Sequence, residues 1–116
     1  MLLVVPKESK AGERRVAATP STLNKLIKLG FEIHVEKDAG LLSLYPDSEY
    51  EKNGAKIISD ISSSIKIADV VTSVATLNPN LAKNLKAGAI CISFAQAKRD
   101  KENIKEIINA KASLLS

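Results

Sequence analysis

The chain has 116 residues, of which 45% are hydrophobic and 26% charged, and 17 basic against 13 acidic side chains leave a net charge of +4. This composition excludes disordered and fibrous classes and suits one domain with its own core. Aromatic residues make up 3% and tryptophan is absent, so the core is aliphatic, and nucleic acid is not an expected partner because the rings for base stacking are missing and the basic residues are interspersed.

The first element is an apolar run, Leu2 to Val5, closed by Pro6. It reads as a buried strand and is too short for a signal-peptide core or a membrane span. Thr19 is placed to cap a helix with Pro20 at its first position, where a missing N–H costs nothing. Leu23, Leu26 and Ile27 follow at helical spacing and Gly30 stops the helix. Phe31, Ile33 and Val35 then alternate with Glu32, His34 and Glu36, predicting a strand with His34 turned outward. A loop from Lys37 to Pro46 leads to a short helix over Asp47 to Asn53, ended by Gly54.

Lys56 to Ile58 is a short strand. Ser59-Asp60 caps a helix to about Ile67, and Asp69 to Val74 is a β-branched strand. Asn78-Pro79 opens another helix, ending at Gly88, and Ala89 to Phe94 is an apolar strand. Lys101 to Lys111 predicts an amphipathic helix, with Ile104, Ile107 and Ile108 on one face and Lys105 and Glu106 toward water. Ala112 to Leu115 begins a further strand. Alternating strands and helices over short connections predict an α/β fold, a parallel sheet with helices on both faces. The pattern stops among apolar residues at Ser116, so the chain is expected to be one part of a larger protein.

Few residues carry chemistry by themselves. Neither G-x-G-x-x-G nor G-x-x-x-x-G-K occurs, so this segment is not expected to cradle a dinucleotide alone. His34 has no second histidine to share a metal. Cys91 is the single cysteine, which precludes an internal disulfide and fits a reducing compartment. Within its apolar strand it reads as a small buried hydrophobe. The charged run Lys7, Glu8, Glu13, Arg14 and Arg15 is different. It lies between a strand and a capped helix, where α/β proteins handle ligands. Arg15 precedes the partly buried Val16-Ala17-Ala18, and such an arginine is commonly paired or binds a carboxylate or phosphate. A solvated loop is the competing reading.

The order Val5-Pro6-Lys7-Glu8, Glu13-Arg14-Arg15-Val16-Ala17, Thr19-Pro20 resembles the start of the alanine dehydrogenase and pyridine nucleotide transhydrogenase family. The likeness continues through Gly30 and Phe31 to Glu36, Asp38-Ala39-Gly40, Tyr45-Pro46-Asp47, Asn53-Gly54-Ala55, Ala68 to Val71, Leu85 to Ala89, and Ile92-Ser93-Phe94. It spans the whole chain in order. The resemblance implies a Rossmann-like (flavodoxin-like) lobe, incomplete at its C-terminus and lacking the glycine-rich dinucleotide loop. In the amino-acid dehydrogenase branch a lysine and a histidine follow the two later strands. Here Ala75 and Gln96 stand in those places, and Gln96 cannot act as acid or base near neutral pH.

The remaining pattern is similar to the α subunits of proton-translocating NAD(P) transhydrogenases. That similarity implies residues 1–116 form the N-terminal lobe of an NAD(H)-binding component. The implied partners are the rest of that subunit, an NADP(H)-binding β subunit, a membrane component and a second copy. The implied place is the cytoplasmic face of the inner (plasma) membrane, and no metal is expected. Lys7, Arg15 and Gln96 are the candidate cleft-lining residues. Arg15 either ties its loop through Glu8 or Glu13 or lines the cleft near the nicotinamide. An amino-acid dehydrogenase domain and a non-catalytic assembly lobe are the alternatives.

Overall fold

Four consecutive apolar residues, Leu2–Val5, form strand β1 at the centre of the sheet, buried on both faces. In the computed structural model, which describes residues 1–95 and 98–116, five further strands surround it. They are β2 (Glu32–Glu36), β3 (Lys56–Ile58), β4 (Val70–Ala75), β5 (Ile90–Phe94) and β6 (Ser113–Leu115). The order is β3-β2-β1-β4-β5-β6 and every pairing is parallel. This is the six-stranded doubly wound arrangement.

Five helices connect the strands: α1 (Leu23–Lys28), α2 (Asp47–Lys52), α3 (Ile61–Ile65), α4 (Pro79–Ala82) and α5 (Lys101–Asn109). Alternation along the strands divides the core in two. Leu3, Val5, Ile33, Val35 and Val70 pack with Leu23 of α1 and Tyr50 of α2. Leu2, Val4, Val71 and Cys91 pack on the opposite face with Ile61 and Ile65 of α3, Ala82 of α4 and Ile107 of α5. Burying each aliphatic side chain contributes roughly 1.5–3 kcal/mol. The first face is left open beyond β1, where Ile92, Phe94 and Leu115 are exposed.

The strands fall within a residue of their expected positions. His34 does not point outward: its side chain is 13% exposed, and Nδ1 lies 2.8 Å from Ser64 Oγ on α3. A sheet covered on both faces has no solvent side for the alternate residues of a central strand. Thr19 occupies the cap position without a side-chain cap bond, and Pro20–Thr22 is a 3-10 turn leading into α1. The Asp60 side chain likewise holds Ser62 Oγ instead of capping α3, which ends at Ile65. Asn78 does cap α4, accepting from Leu81 N–H at 3.0 Å, yet that helix stops at Ala82, well before Gly88. On α5 the covered face is Asn103, Ile104, Ile107 and Ala110, while Ile108 is exposed and Glu106 half-buried.

Tyr50 is fully buried, and its hydroxyl donates to the Ala18 carbonyl at 2.7 Å. Burial pushes the phenol up to about 12, so it remains a donor throughout the physiological range. Its ring lies over Gly40, where a Cβ would come 2.7 Å from Tyr50 Cε2 and 2.8 Å from the Tyr45 carbonyl oxygen. Gly40 therefore serves close packing. Tyr50→Phe, which orphans the Ala18 carbonyl, is expected to cost about 1 kcal/mol. Gly40→Ala is expected to cost more, about 2 kcal/mol, through overpacking. Urea denaturation of the two variants checks the order.

Candidate functional site

The chain order of the strands reverses between β1 and β4, so the carboxyl ends of these two strands flank the switch point, where doubly wound proteins place ligands. Pro6 ends β1 there, and the loop that follows carries the charged cluster. Lys7 is exposed, and its backbone N–H donates to Glu36 Oε1 at the end of β2, at 2.8 Å. Glu8 turns the other way. Its two carboxylate oxygens accept from the N–H groups of Val74 and Ala75, each at 2.9 Å. This stretch of β4 contains a register shift against β5, between Thr72 and Ala75. Such an irregularity leaves strand amides without ladder partners, and Glu8 supplies their acceptors. Burial holds the Glu8 carboxyl above its ordinary value of 4.5, against the two amides, which pull it down.

Glu13 and Arg15 form a closed pair further along the loop. Arg15 Nε and Nη2 donate to the two Glu13 oxygens at 2.9 and 2.8 Å, and the Arg15 backbone N–H adds a third bond at 2.9 Å. The Glu13 side chain is 9% exposed and that of Arg15 71%. These bonds to Arg15 depress the Glu13 carboxyl to about 2. The pair borders a cleft of about 390 Å3 that is also lined by Lys10, Val74, Ala75, Phe94 and Arg99. Arg15 thus ties its loop through Glu13 and lines a cleft as well; Glu8 is engaged with the strand.

A second cleft, of about 240 Å3, lies beside the first and shares Lys10, Ala75 and Arg99 with it. Lys7 lines this one, so the structure places Lys7 and Arg15 in neighbouring clefts. Its wall holds a polar group built by residues that sequence reasoning passed over. Thr76 Oγ1 donates to Asp100 Oδ2 at 3.0 Å, and Arg99 makes two bonds of 3.1 Å to the same carboxylate. Asn103 Nδ2 donates to the Leu77 carbonyl at 3.0 Å. Their one sequence signal was a charged pair, Arg99-Asp100, directly before the amphipathic helix. Ser93 Oγ is buried without a hydrogen-bond partner among the described residues. Gln96, the remaining candidate, lies outside the described residues.

Two other groups play no part in the clefts. His34 is held between Ser64 and Glu32 on the helix-covered side of the sheet. Cys91 is buried, which pushes its thiol up to about 11 and suppresses the thiolate. Among the described residues no group of acidic, histidine and cysteine side chains is arranged to hold a metal.

The two glutamates of the loop titrate with opposite consequences. Glu13, depressed when folded, stabilises the fold above its ordinary value of 4.5, and that contribution is lost as pH falls through about 2. Glu8, raised when folded, contributes stability below 4.5 that is lost as pH rises through its folded value. Carboxyl 13C shifts followed from neutral to acid pH are expected to show Glu8 protonating before Glu13, which follows at about 2.

The model of the family described as alanine dehydrogenase/PNT, N-terminal domain, matches residues 4–116. The chain is 34% identical over 116 residues to NAD(P) transhydrogenase subunit alpha of Haemophilus influenzae, a match covering 100% of this chain and 22% of that protein. Alanine dehydrogenase 1 of Staphylococcus aureus is 49% identical over 59 residues, which is 51% of this chain and 16% of that protein. The crystal structure of the transhydrogenase from Sinorhizobium meliloti matches with a TM-score of 0.91 at 32% identity, over 100% of this chain and 34% of that one. The chain therefore spans about a fifth of these curated relatives and a third of the crystallised one. With the family model matching residues 4–116 and a relative 34% identical over the whole chain, the protein belongs to the alanine dehydrogenase/PNT N-terminal domain family.

Proposed function

We propose that this lobe is the N-terminal part of the NAD(H)-binding α subunit of a proton-translocating NAD(P) transhydrogenase. The observation that carries the reading is the content of the Arg15 cleft. Ala75 lines it, in the place where the amino-acid dehydrogenase branch is expected to carry a lysine that holds the substrate carboxylate with the early arginine. The chain's single histidine is packed against Ser64 on α3, away from the cleft. Amino-acid oxidation needs a proton acceptor near neutral pH. Hydride exchange between two nicotinamides needs none from the protein, and such a cleft suits it.

The residues present do not fit the pyrophosphate of a dinucleotide. A glycine-rich loop is missing from the sequence, and the strand amides at the switch point are occupied by a carboxylate. In this reading a second, glycine-rich lobe holds NAD(H), and Lys7 and Arg15 face it from the two neighbouring clefts of this side. NADP(H) sits on a β subunit, and a membrane component moves the proton. The lobe itself is peripheral, on the cytoplasmic face, in a homodimer. Among the described residues no helix is long and apolar enough to cross a membrane, which is compatible with that placement. The 49% identity over half the chain favours an amino-acid dehydrogenase as the second reading.

The longer protein carrying this lobe, mixed with NADH and an NADP+-loaded partner component, is expected to reduce NADP+. It is expected to leave NADH unoxidised when given pyruvate and ammonia. Oxidation that depends on pyruvate and ammonia would overturn the reading in favour of the dehydrogenase. Arg15→Ala in the same protein is expected to lower NADH affinity or transfer rate about tenfold, the scale of one lost charged hydrogen bond. Unchanged values would remove Arg15 from the cleft's function.

A further inference from the structure

We propose that the Val74 and Ala75 backbone amides form an anion cradle at the mouth of the sheet, and that the chain fills it with its own Glu8 carboxylate, which positions the loop carrying Glu13 and Arg15. Two successive N–H groups each donate to a different oxygen of one carboxylate, both at 2.9 Å. Both oxygens act as acceptors, the bonding pattern of a carboxylate. Backbone N–H groups converging on one anion are how proteins bind free carboxylates and phosphates. The cradle also sits at the switch point of a doubly wound sheet, where such a ligand ordinarily docks. Here the anion comes from a residue 66 positions away in the chain.

The contact has a mechanical consequence. Lys7, next to Glu8, is bound through its own N–H to Glu36 at the end of β2. Glu8 then fastens the same turn to β4, so the loop leaves β1 pinned to the strands on either side. Further along, Ser9 Oγ accepts from Asn78 Nδ2 at 3.5 Å, the Lys10 carbonyl accepts from Glu13 N–H at 3.1 Å, the Arg14 carbonyl accepts from Ser43 Oγ at 2.6 Å, and Arg15 closes onto Glu13. Glu8 is therefore a positioning residue: both its carboxylate oxygens are engaged by the strand amides, and it acts through the placement of Glu13 and Arg15. While it occupies the cradle, an anionic ligand approaching this lobe meets side chains and finds no free backbone amides there. The inference rests on the geometry of this lobe and holds whether the longer protein is a transhydrogenase or an amino-acid dehydrogenase.

The test uses the 116-residue chain labelled with 15N, observed at the Val74 and Ala75 amides and at Arg15 Nε. In Glu8→Ala both amide signals are expected to move upfield and exchange with solvent about tenfold faster, and the Arg15 Nε signal to shift. Sodium formate, small enough to enter the vacated space, is expected to return the two amide signals saturably toward their wild-type positions and to leave Arg15 Nε displaced, because formate is not joined to the loop; sodium chloride at equal ionic strength restores none of the three. Glu8→Gln keeps one acceptor and turns an NH2 group against the other amide. It is expected to perturb one amide more than the other, to shift Arg15 Nε, and to resist formate. Formate without effect on the two amides of Glu8→Ala overturns the cradle. Amides restored by formate while Arg15 Nε never moves overturns the positioning. Should Glu8→Ala fail to fold, Glu8→Gln decides: three signals at their wild-type positions overturn the proposal, and the expected displacement supports it.

Discussion

A half-buried carboxylate is costly unless its oxygens find donors. Glu8 finds two, and the arrangement of the whole sheet mouth follows from that requirement. The register shift in β4 leaves amides without ladder partners, and Pro6 breaks β1 so that the chain can turn across toward them. Strand irregularity and buried charge would each be unfavourable alone. Together they satisfy one another, and the contact extends the pairing of β1 with β4 beyond the end of their ladder.

The same contact explains why the two arginine-rich readings of the loop were compatible. Arg15 was expected either to tie the loop through an acidic partner or to face a cleft. With Glu8 engaged elsewhere, Glu13 is the acidic group within reach, and the pair lies at the cleft's border. An arginine already paired presents a cation whose field is partly cancelled. Such a group can orient a neutral or weakly polar surface, and it binds a free carboxylate less strongly than a bare guanidinium would. Lys10 is the other basic side chain of that border beside the two paired arginines.

Much of the fold was legible because its signals are local. β-Branched and aliphatic runs mark the strands, and Asn78-Pro79 marks a helix start by capping chemistry that needs only neighbouring residues. What escaped depends on distant partners. His34 alternates with apolar residues like an outward side chain, and only the placement of α3 makes its surroundings protein instead of water. Ile108 has helical spacing with Ile104, yet the angle at which α5 lies on the sheet leaves it in solvent. Thr19 has the right chemistry for a cap, but its hydroxyl lies 3.2 Å from Ser21 Oγ in the 3-10 turn that intervenes. Glu8 was visible as part of a charged cluster, while its partners are backbone groups, which carry no sequence signature at all. The Thr76–Asp100 contact across 24 residues was hidden for a related reason: Arg99-Asp100 is visible as a charged pair, but nothing in its own stretch points to Thr76.

The position of β1 bears on how the molecule is made. Its residues leave the ribosome before those of either neighbour but occupy the middle of the sheet, between β2 and β4. One side is covered once residues 32–35 have emerged, and the other must wait for Val70 and Val71. At translation rates of about 5–20 residues per second, that leaves an open edge of Leu2-Leu3-Val4-Val5 for several seconds. During that interval the most apolar strand of the protein has an unpaired row of backbone groups, which makes it the segment most available to chaperones and to mispairing.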